Sequence, residues 1–219
     1  MKIKVCGMRD KENIESLIAL KPDFIGLIFY DKSKRFVTDF PQVKFPSTIK
    51  KVGVFVNESI EKVIATVEKY KLDFVQLHGN ETPNYCNEIL NSHLERSRKI
   101  VSESYKLKII KAFSVDENFD FSKTEQFEQC CEYFLFDTKE KEYGGNGIKF
   151  NWKILQNYKG EIPYFLSGGI GLEDKDELLL FLNRQESKHC YAVDVNSSFE
   201  IEPAIKDIEK LKKFKNNLV

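Results

Sequence analysis

Eight short apolar segments recur along the chain, and they restrict its fold more than any other feature. They are largely apolar without strict alternation, which is typical of strands buried on both faces of a parallel sheet. The segments are Lys2–Val5, Phe24–Tyr30, Val52–Val56, Phe74–Leu77, Ile109–Phe113, Tyr133–Phe136, Tyr164–Leu166 and Tyr191–Val195. Because parallel neighbours require long crossover connections, we expect a helix between most of these strands.

Amphipathic stretches between the apolar segments predict those helices. The apolar residues of Ile60–Val67 have the spacing of one helix face. Ile14–Ile18 shows the same spacing and follows Asp10, whose side chain suits a helix N-cap. A last helix is predicted over Ile205–Phe214, with Pro203 in its first turn.

Eight strands alternating with helices in 219 residues predict a closed (β/α)8 TIM barrel, with a single domain spanning residues 1–219. The structural alternative is an open, doubly wound sheet. That alternative is disfavoured because no Gly-x-Gly-x-x-Gly pattern follows the first strand.

Charge and cysteine content exclude several classes of protein. Lys plus Arg and Asp plus Glu number 34 each, so no net charge favours nucleic acid or an anionic membrane. The longest apolar run, Phe24–Tyr30, is too short to cross a bilayer, and the N-terminus lacks the apolar region of a signal peptide. The five cysteines are scattered and contain no Cys-x-x-Cys pair, which argues against a disulfide framework and a zinc site. A cytoplasmic protein without a metal is therefore predicted.

Polar residues end every predicted strand. In a parallel barrel these positions meet at one rim, where barrel enzymes carry their active sites. The strand ends are Cys6-Gly7, Asp31-Lys32, Asn57-Glu58, His78-Gly79, Ser114, Asp137-Thr138, Ser167-Gly168-Gly169 and Asn196-Ser197-Ser198. An active-site rim is the better interpretation of so many polar ends, several of them beside glycine.

The last two strand ends predict a phosphate site. Gly168 and Gly169 offer backbone amides, and Ser197 and Ser198 offer hydroxyls as well, in two loops between which barrels often bind phosphate. A tight turn alone is the structural alternative. A third glycine-rich stretch, Tyr143–Gly147, lacks the Lys and Ser of a P-loop and is either a lid or a flexible surface loop.

The motifs together resemble one family. They are Lys4-Val5-Cys6-Gly7, Gly26-Leu27-Ile28-Phe29 with Lys32–Val37, Val52–Asn57, Val75–Gly79, Asp137-Thr138 with Gly144–Gly147 and Phe150-Asn151-Trp152, Leu166–Ile170, and Val193–Glu200. In this order, and over nearly the whole chain, the pattern resembles phosphoribosylanthranilate isomerase. Lys34, Phe36 and Asn146 depart from the family's usual residues at their positions.

The resemblance implies an isomerase of tryptophan biosynthesis that performs an Amadori rearrangement by acid–base catalysis, without metal or redox cofactor. It implies that Cys6 is the general base and Asp137 the general acid. Considered alone, Cys6 would more simply be a small buried strand-end residue, and Asp137 a cap or ion-pair partner. A thiol base also needs either a lowered pKa or a favourable approach to its proton.

The resemblance also implies binding roles. Arg35 is expected to face the anthranilate end of the substrate, and Asp194 to orient hydroxyls or the amine. The expected phosphate-binding residues are Gly145, Gly168, Gly169, Ser197 and Ser198. His78 is expected to be a structural hydrogen-bonding residue without a role in proton transfer. The predicted partner is a small phosphorylated substrate, with neither nucleic acid nor membrane, and the chain is predicted to be a monomer or a homodimer.

Two other functions stay open. Another phosphosugar barrel enzyme, such as indole-glycerol-phosphate synthase or a pentose-phosphate epimerase, would show a catalytic lysine with glutamates or a set of metal ligands. A non-catalytic phosphosugar-binding barrel would keep the phosphate loops and lose a proton carrier. Cys6 and Asp137 are both present, which disfavours this second alternative.

Overall fold

A closed barrel of eight parallel strands is the centre of the structure, a computed structural model that describes residues 1–99, 106–138 and 149–218. Each strand pairs with its sequence neighbours, and the eighth closes onto the first. The strands are β1 Lys2–Val5, β2 Phe24–Ile28, β3 Lys50–Phe55, β4 Phe74–Leu77, β5 Lys108–Val115, β6 Tyr133–Thr138, β7 Tyr164–Leu166 and β8 Cys190–Val195. The predicted TIM barrel is confirmed, whereas a single domain over residues 1–219 stays a prediction.

Helices cover the outside of the barrel. They are α1 Lys11–Ala19, α2 Ile60–Tyr70, α3 Pro83–Lys99, α4 Lys175–Leu182 and α5 Ile208–Asn217, with short 3-10 helices at Phe121–Phe127, Trp152–Asn157, Leu172–Asp174, Gln185–Ser187 and Ser197–Phe199. The predicted cap of α1 is confirmed, since the Asn13 amide donates to Asp10 Oδ1 at 2.8 Å. Within the described ranges, no helix is long and apolar enough to cross a membrane.

The predicted start of the last helix is wrong. Residues around Pro203 form a tight antiparallel hairpin of β9 Glu200–Glu202 and β10 Ile205–Lys206, and α5 begins only at Ile208. Two polar contacts favour the later start. Asp207 accepts from the Lys210 amide at 2.9 Å as the N-cap, and Asn13 of α1 exchanges two hydrogen bonds with the backbone of Lys206.

Aromatic side chains fill the amino-terminal half of the barrel interior. Phe24 lies at the centre of this group, with its ring centroid 5.1 Å from that of Phe165 and 5.6 Å from that of Phe74. Tyr133 packs on Phe165 at 5.2 Å and completes the layer. Because these rings fill one half of the barrel, polar interior side chains gather at the carboxyl-terminal half.

Candidate active site

The pleat of the strands determines which polar side chains enter the barrel. Leu135 and Ala192 belong to the interior apolar cluster. Successive side chains alternate between the two faces of a strand, so Asp137 and Asp194, each two residues further along, also face the interior. Lys4 of β1 is the register partner of Asp194, which brings a third ionisable residue to the same level.

Cys6 follows β1 directly and lies at the start of the rim. Its amide donates to the Val195 carbonyl at 2.9 Å, and the residue is only 5% exposed. Gly26 of the neighbouring strand makes room for it. A Cβ atom at that position would lie 2.7 Å from Cys6 Sγ and 3.0 Å from Cys6 Cα, so a glycine there allows the thiol to face the barrel.

Burial raises the pKa of the Cys6 thiol above its ordinary value, and Asp194 acts in the same direction. Lys4 and Lys206 oppose this rise because a positive charge favours the thiolate. The net direction is upward, so the protonated thiol is the dominant form of Cys6 at neutral pH. Of the two conditions given for a thiol base, a lowered pKa is therefore not met, and a favourable approach to the proton stays a prediction.

Lys4 and Asp194 form a buried ion pair beside Cys6. Lys4 Nζ donates to Asp194 Oδ1 at 2.9 Å, and the two residues are 0% and 6% exposed. Burial alone would lower the pKa of Lys4, but Asp194 and Cys6 raise it above its ordinary value. Burial raises the pKa of Asp194, and the nearby Asp137 carboxylate adds to that rise. Lys4 is therefore a stable positive charge within the site.

Asp137 and His78 contact each other across the interior. His78 Nε2 lies 3.3 Å from Asp137 Oδ2, and both side chains are about a quarter exposed (25% and 27%). Gln76 Nε2 lies 2.8 Å from His78 Nδ1. An amide nitrogen only donates, so Nδ1 accepts and the neutral ring carries its proton on Nε2, facing Asp137. His78 was expected to be structural, and the structure places it against the predicted acid.

Arg35 joins a second buried network at the rim. Its Nε and Nη2 donate to the two carboxylate oxygens of Glu200 at 2.7 and 2.6 Å. Lys206 Nζ donates to the same carboxylate at 2.6 Å and to Asn196 Oδ1 at 2.7 Å. Arg35 and Asn196 both flank Gly7, where a Cβ would lie 2.6 Å from each. This places Arg35 beside the Cys6 segment.

The predicted phosphate loops lie together at the ends of β7 and β8. Gly168 and Gly169 adopt positive φ angles of 96° and 65°, which glycine adopts without strain. Ser198 Oγ donates to the Gly169 carbonyl at 3.4 Å and links the two loops. Among the described residues, no group accepts a hydrogen bond from the backbone amides of these glycines or of Ser197 and Ser198. The structure thus brings four of the five predicted phosphate residues together, while Gly145 and the Tyr143–Gly147 stretch lie outside the described residues.

Three charged residues of these networks were not predicted from the sequence. Lys4 could have been predicted, because residues two apart in a strand lie on the same face and Lys4 is two residues before Cys6. Glu200 and Lys206 carry no comparable signal. They meet Arg35 through the β9–β10 hairpin, which the apolar pattern did not reveal.

Known proteins share both the sequence and the fold. A family model described as N-(5'phosphoribosyl)anthranilate (PRA) isomerase matches residues 3–217. The N-(5'-phosphoribosyl)anthranilate isomerase of Parabacteroides distasonis is 44% identical over 219 residues, which cover 98% of this chain and 91% of that protein. Both comparisons extend over nearly the whole chain.

Solved structures agree with this assignment. Phosphoribosyl anthranilate isomerase from Thermotoga maritima superposes with a TM-score of 0.80 at 31% identity, over 99% of this chain and 98% of the other. A phosphoribosyl anthranilate isomerase in complex with reduced 1-(o-carboxyphenylamino)-1-deoxyribulose 5-phosphate gives 0.77 at 28% identity, over 99% and 97%. The chain therefore belongs to the N-(5'-phosphoribosyl)anthranilate isomerase family of tryptophan-biosynthesis enzymes.

Proposed function

We propose that this chain rearranges N-(5-phosphoribosyl)anthranilate to 1-(2-carboxyphenylamino)-1-deoxyribulose 5-phosphate, with Asp137 as general acid and Cys6 as general base. The observation that carries the proposal is the placement of both groups on interior positions at one rim of the barrel. A charged pair, Lys4–Asp194, lies beside them. Two positioned proton carriers suffice for this isomerisation.

Asp137 acts first, by donating a proton to the ring oxygen of the aminofuranose. The ring C–O bond breaks, and the electron pair of the amine nitrogen forms a C=N bond, which leaves an open-chain iminium ion. His78 Nε2–H contacts Asp137 Oδ2 at 3.3 Å. We assign His78 to positioning: its N–H orients the carboxyl and stabilises the carboxylate formed by the proton transfer.

Cys6 then removes the proton from the second sugar carbon. The C–H electron pair forms a C=C bond and neutralises the iminium nitrogen, which gives an enolamine. Ketonisation moves the hydroxyl proton to the first carbon, so the product is an isomer of the substrate. Lys4 is the nearest source of positive charge for the thiolate form of Cys6. The acid and base end the turnover in exchanged protonation states and are reset through solvent.

The phosphate of the substrate is proposed to bind at the ends of β7 and β8, which lie between β6 and β1 in the closed barrel. The backbone amides of Gly168, Gly169, Ser197 and Ser198 have no acceptor among the described residues, and buried or loop amides of this kind bind phosphate oxygens. Gly145, which follows β6 in the sequence, is proposed to add a further contact to the phosphate. Anchoring the phosphate fixes the sugar carbons relative to Cys6 and Asp137.

Arg35 and Asp194 are proposed to hold the rest of the substrate. The Nε–Nη2 edge of Arg35 is used by Glu200, so the anthranilate carboxylate is proposed to bind at its Nη1 side. Asp194 uses Oδ1 to bind Lys4, and its second oxygen is proposed to accept from a sugar hydroxyl. A cytoplasmic location and a monomeric or homodimeric state remain proposals from the sequence.

The test is a direct assay with single-residue controls. Metal-stripped protein is incubated with freshly prepared phosphoribosylanthranilate, and the loss of anthranilate-type fluorescence is followed for wild type, Cys6→Ala and Asp137→Asn. Loss of one general acid or base should lower kcat by about 100-fold or more. Binding of a reduced product analogue should persist in both variants, because the phosphate loops are unchanged.

Other outcomes separate the alternatives. Wild-type protein that binds the product analogue without turning over the substrate would support a non-catalytic phosphosugar-binding barrel. Turnover that survives in Cys6→Ala or Asp137→Asn at the wild-type rate would remove that residue from the mechanism. Glu132→Gln is the matched control. Glu132 lies on the amino-terminal side of β6 and is 37% exposed, so loss of its carboxylate should leave kcat unchanged.

A further inference from the structure

Three cysteines meet outside the barrel wall, two of them adjacent in sequence and the third more than forty residues earlier. Cys86, Cys130 and Cys131 have sulfur atoms that all lie within 4.8 Å of one another. The sulfurs of Cys130 and Cys131 are 3.9 Å apart. We refer to these three residues as the thiol cluster. It is separate from the site proposed above, since Cys6 takes no part in it.

Local backbone hydrogen bonds orient the three thiols toward one another. Cys86 lies in the first turn of α3, where its amide donates to the Thr82 carbonyl at 3.1 Å. The amides of Cys130 and Cys131 both donate to the Phe127 carbonyl, at 3.1 and 3.0 Å. This shared acceptor closes a tight turn after the 3-10 helix, so two adjacent side chains lie on the same side of the chain and face α3.

The thiol cluster is shielded from solvent. Cys86 is fully buried, and Cys130 and Cys131 are 5% and 7% exposed. Scattered structural cysteines pack singly as small apolar groups, so three sulfurs in mutual reach are more than packing requires. No histidine or carboxylate of the described residues belongs to the group. A set of donors made only of sulfur selects soft metal ions.

The spacing of the sulfurs agrees with metal coordination. A metal–sulfur bond of about 2.3 Å puts two ligands of one ion about 3.8–4.0 Å apart. The sulfurs of Cys130 and Cys131 are already 3.9 Å apart. The Cys86 sulfur lies within 4.8 Å of both, so it would have to move by less than 1 Å to reach the same spacing. Zinc would require a fourth ligand, whereas Cu(I) is satisfied by three sulfurs.

We propose that the thiol cluster is a binding site for a soft monovalent metal ion, Cu(I), held by Cys86, Cys130 and Cys131. The ion replaces the protons of the thiols that are still protonated, and no electron is transferred. The bound ion ties α3, which follows β4, to the turn that precedes β6. Binding should therefore raise the thermal stability of the protein, because the folded state holds all three sulfurs together and binds the ion more tightly than the unfolded chain does.

The experiment uses reduced protein without oxygen. The variant Cys6→Ser/Cys190→Ser retains only the three thiols of the cluster and is titrated with Cu(I) against a chromophoric Cu(I) chelator. One equivalent should bind, with a new ultraviolet charge-transfer band, protection of all three thiols from alkylation and a rise in Tm. Cu(I) should also displace Zn(II) from the same protein.

Single replacements test the ligand assignment. Cys86→Ala, Cys130→Ala and Cys131→Ala are made in that background. Loss of an outer-sphere partner alone costs 10–100-fold in metal affinity, so loss of a sulfur ligand should weaken Cu(I) binding by more than about 100-fold. Circular dichroism confirms that each variant is folded. Equal Cu(I) affinity in folded variants and their parent, or Zn(II) that resists displacement, would overturn the proposal.

Discussion

At the residue scale, the surroundings of Cys6 lead to a pH dependence. Burial raises the thiol pKa above its ordinary value, so the thiolate fraction is small at neutral pH. Below that pKa the fraction rises about tenfold for each pH unit. The thiolate is the form of a thiol that reacts with alkylating reagents. The rate at which iodoacetamide alkylates Cys6 is therefore expected to increase with pH from neutral into the alkaline range.

The measurement is the alkylation rate of the wild-type protein from about pH 6 to about pH 9, with Cys6→Ala as the control that removes this thiol. Protection by the product analogue shows that the reacting thiol is the one in the site. An alkylation rate at Cys6 that is already constant from neutral to alkaline pH would show that its thiol pKa is not raised.

At the element scale, the loop after β7 provides a test of the phosphate site. Gly168 has a φ of 96°, and a Cβ there would collide with Thr138. Gly168→Ala should strain or move the loop and so weaken anchoring of the phosphate. KM should rise by about tenfold or more, since one lost anchoring interaction is worth about 1.4 kcal/mol or more.

The matched control is Gly171→Ala, three residues along the same loop. A Cβ at Gly171 meets only the flexible end of the Glu173 side chain, and its φ of −125° suits any residue. This variant should keep the wild-type KM. An equal rise in KM in both variants would indicate general loosening of the segment rather than a phosphate contact.

The elements also show what the sequence could predict and why. Buried strands have continuous apolar runs, and α1 has a side chain suited to capping, so both were predictable from local chemistry. The start of α5 was not, because Asn13 of α1 holds Lys206 in an extended backbone. The thiol cluster was not predictable either, since no periodic pattern links Cys86 to Cys130 before α3 is placed.

Some site residues could also be predicted from the sequence, and their partners could not. The strand-end positions of Cys6 and Asp137 could be predicted because a parallel barrel brings strand ends together at one rim, whereas their roles as base and acid came from the family resemblance. Their partners depend on register and side-chain direction. Lys4 reaches Asp194 only because β1 and β8 pair at that register, and His78 faces Asp137 across an interior whose width no sequence pattern specifies.

At the scale of the whole molecule, the Lys4–Asp194 pair lies at the seam where the barrel closes. β1 and β8 are the ends of the strand order, and these two residues are register partners there. The ion pair is buried, with Lys4 fully enclosed. Removing one partner leaves an uncompensated charge inside the closed sheet, which is far more costly than losing an exposed pair.

Lys4→Met is therefore expected to lower the free energy of unfolding by about 3–5 kcal/mol, because Asp194 loses its positively charged register partner. Lys11→Met is the control. Lys11 pairs with Glu15 at 3.9 Å with both side chains more than half exposed, so its loss should cost less than about 0.5 kcal/mol. Urea unfolding at neutral pH measures both values. If the two variants are equally stable, the seam does not depend on the ion pair. If Lys4→Met/Asp194→Leu regains most of the loss, the cost came from the unpaired charge rather than from the closure itself.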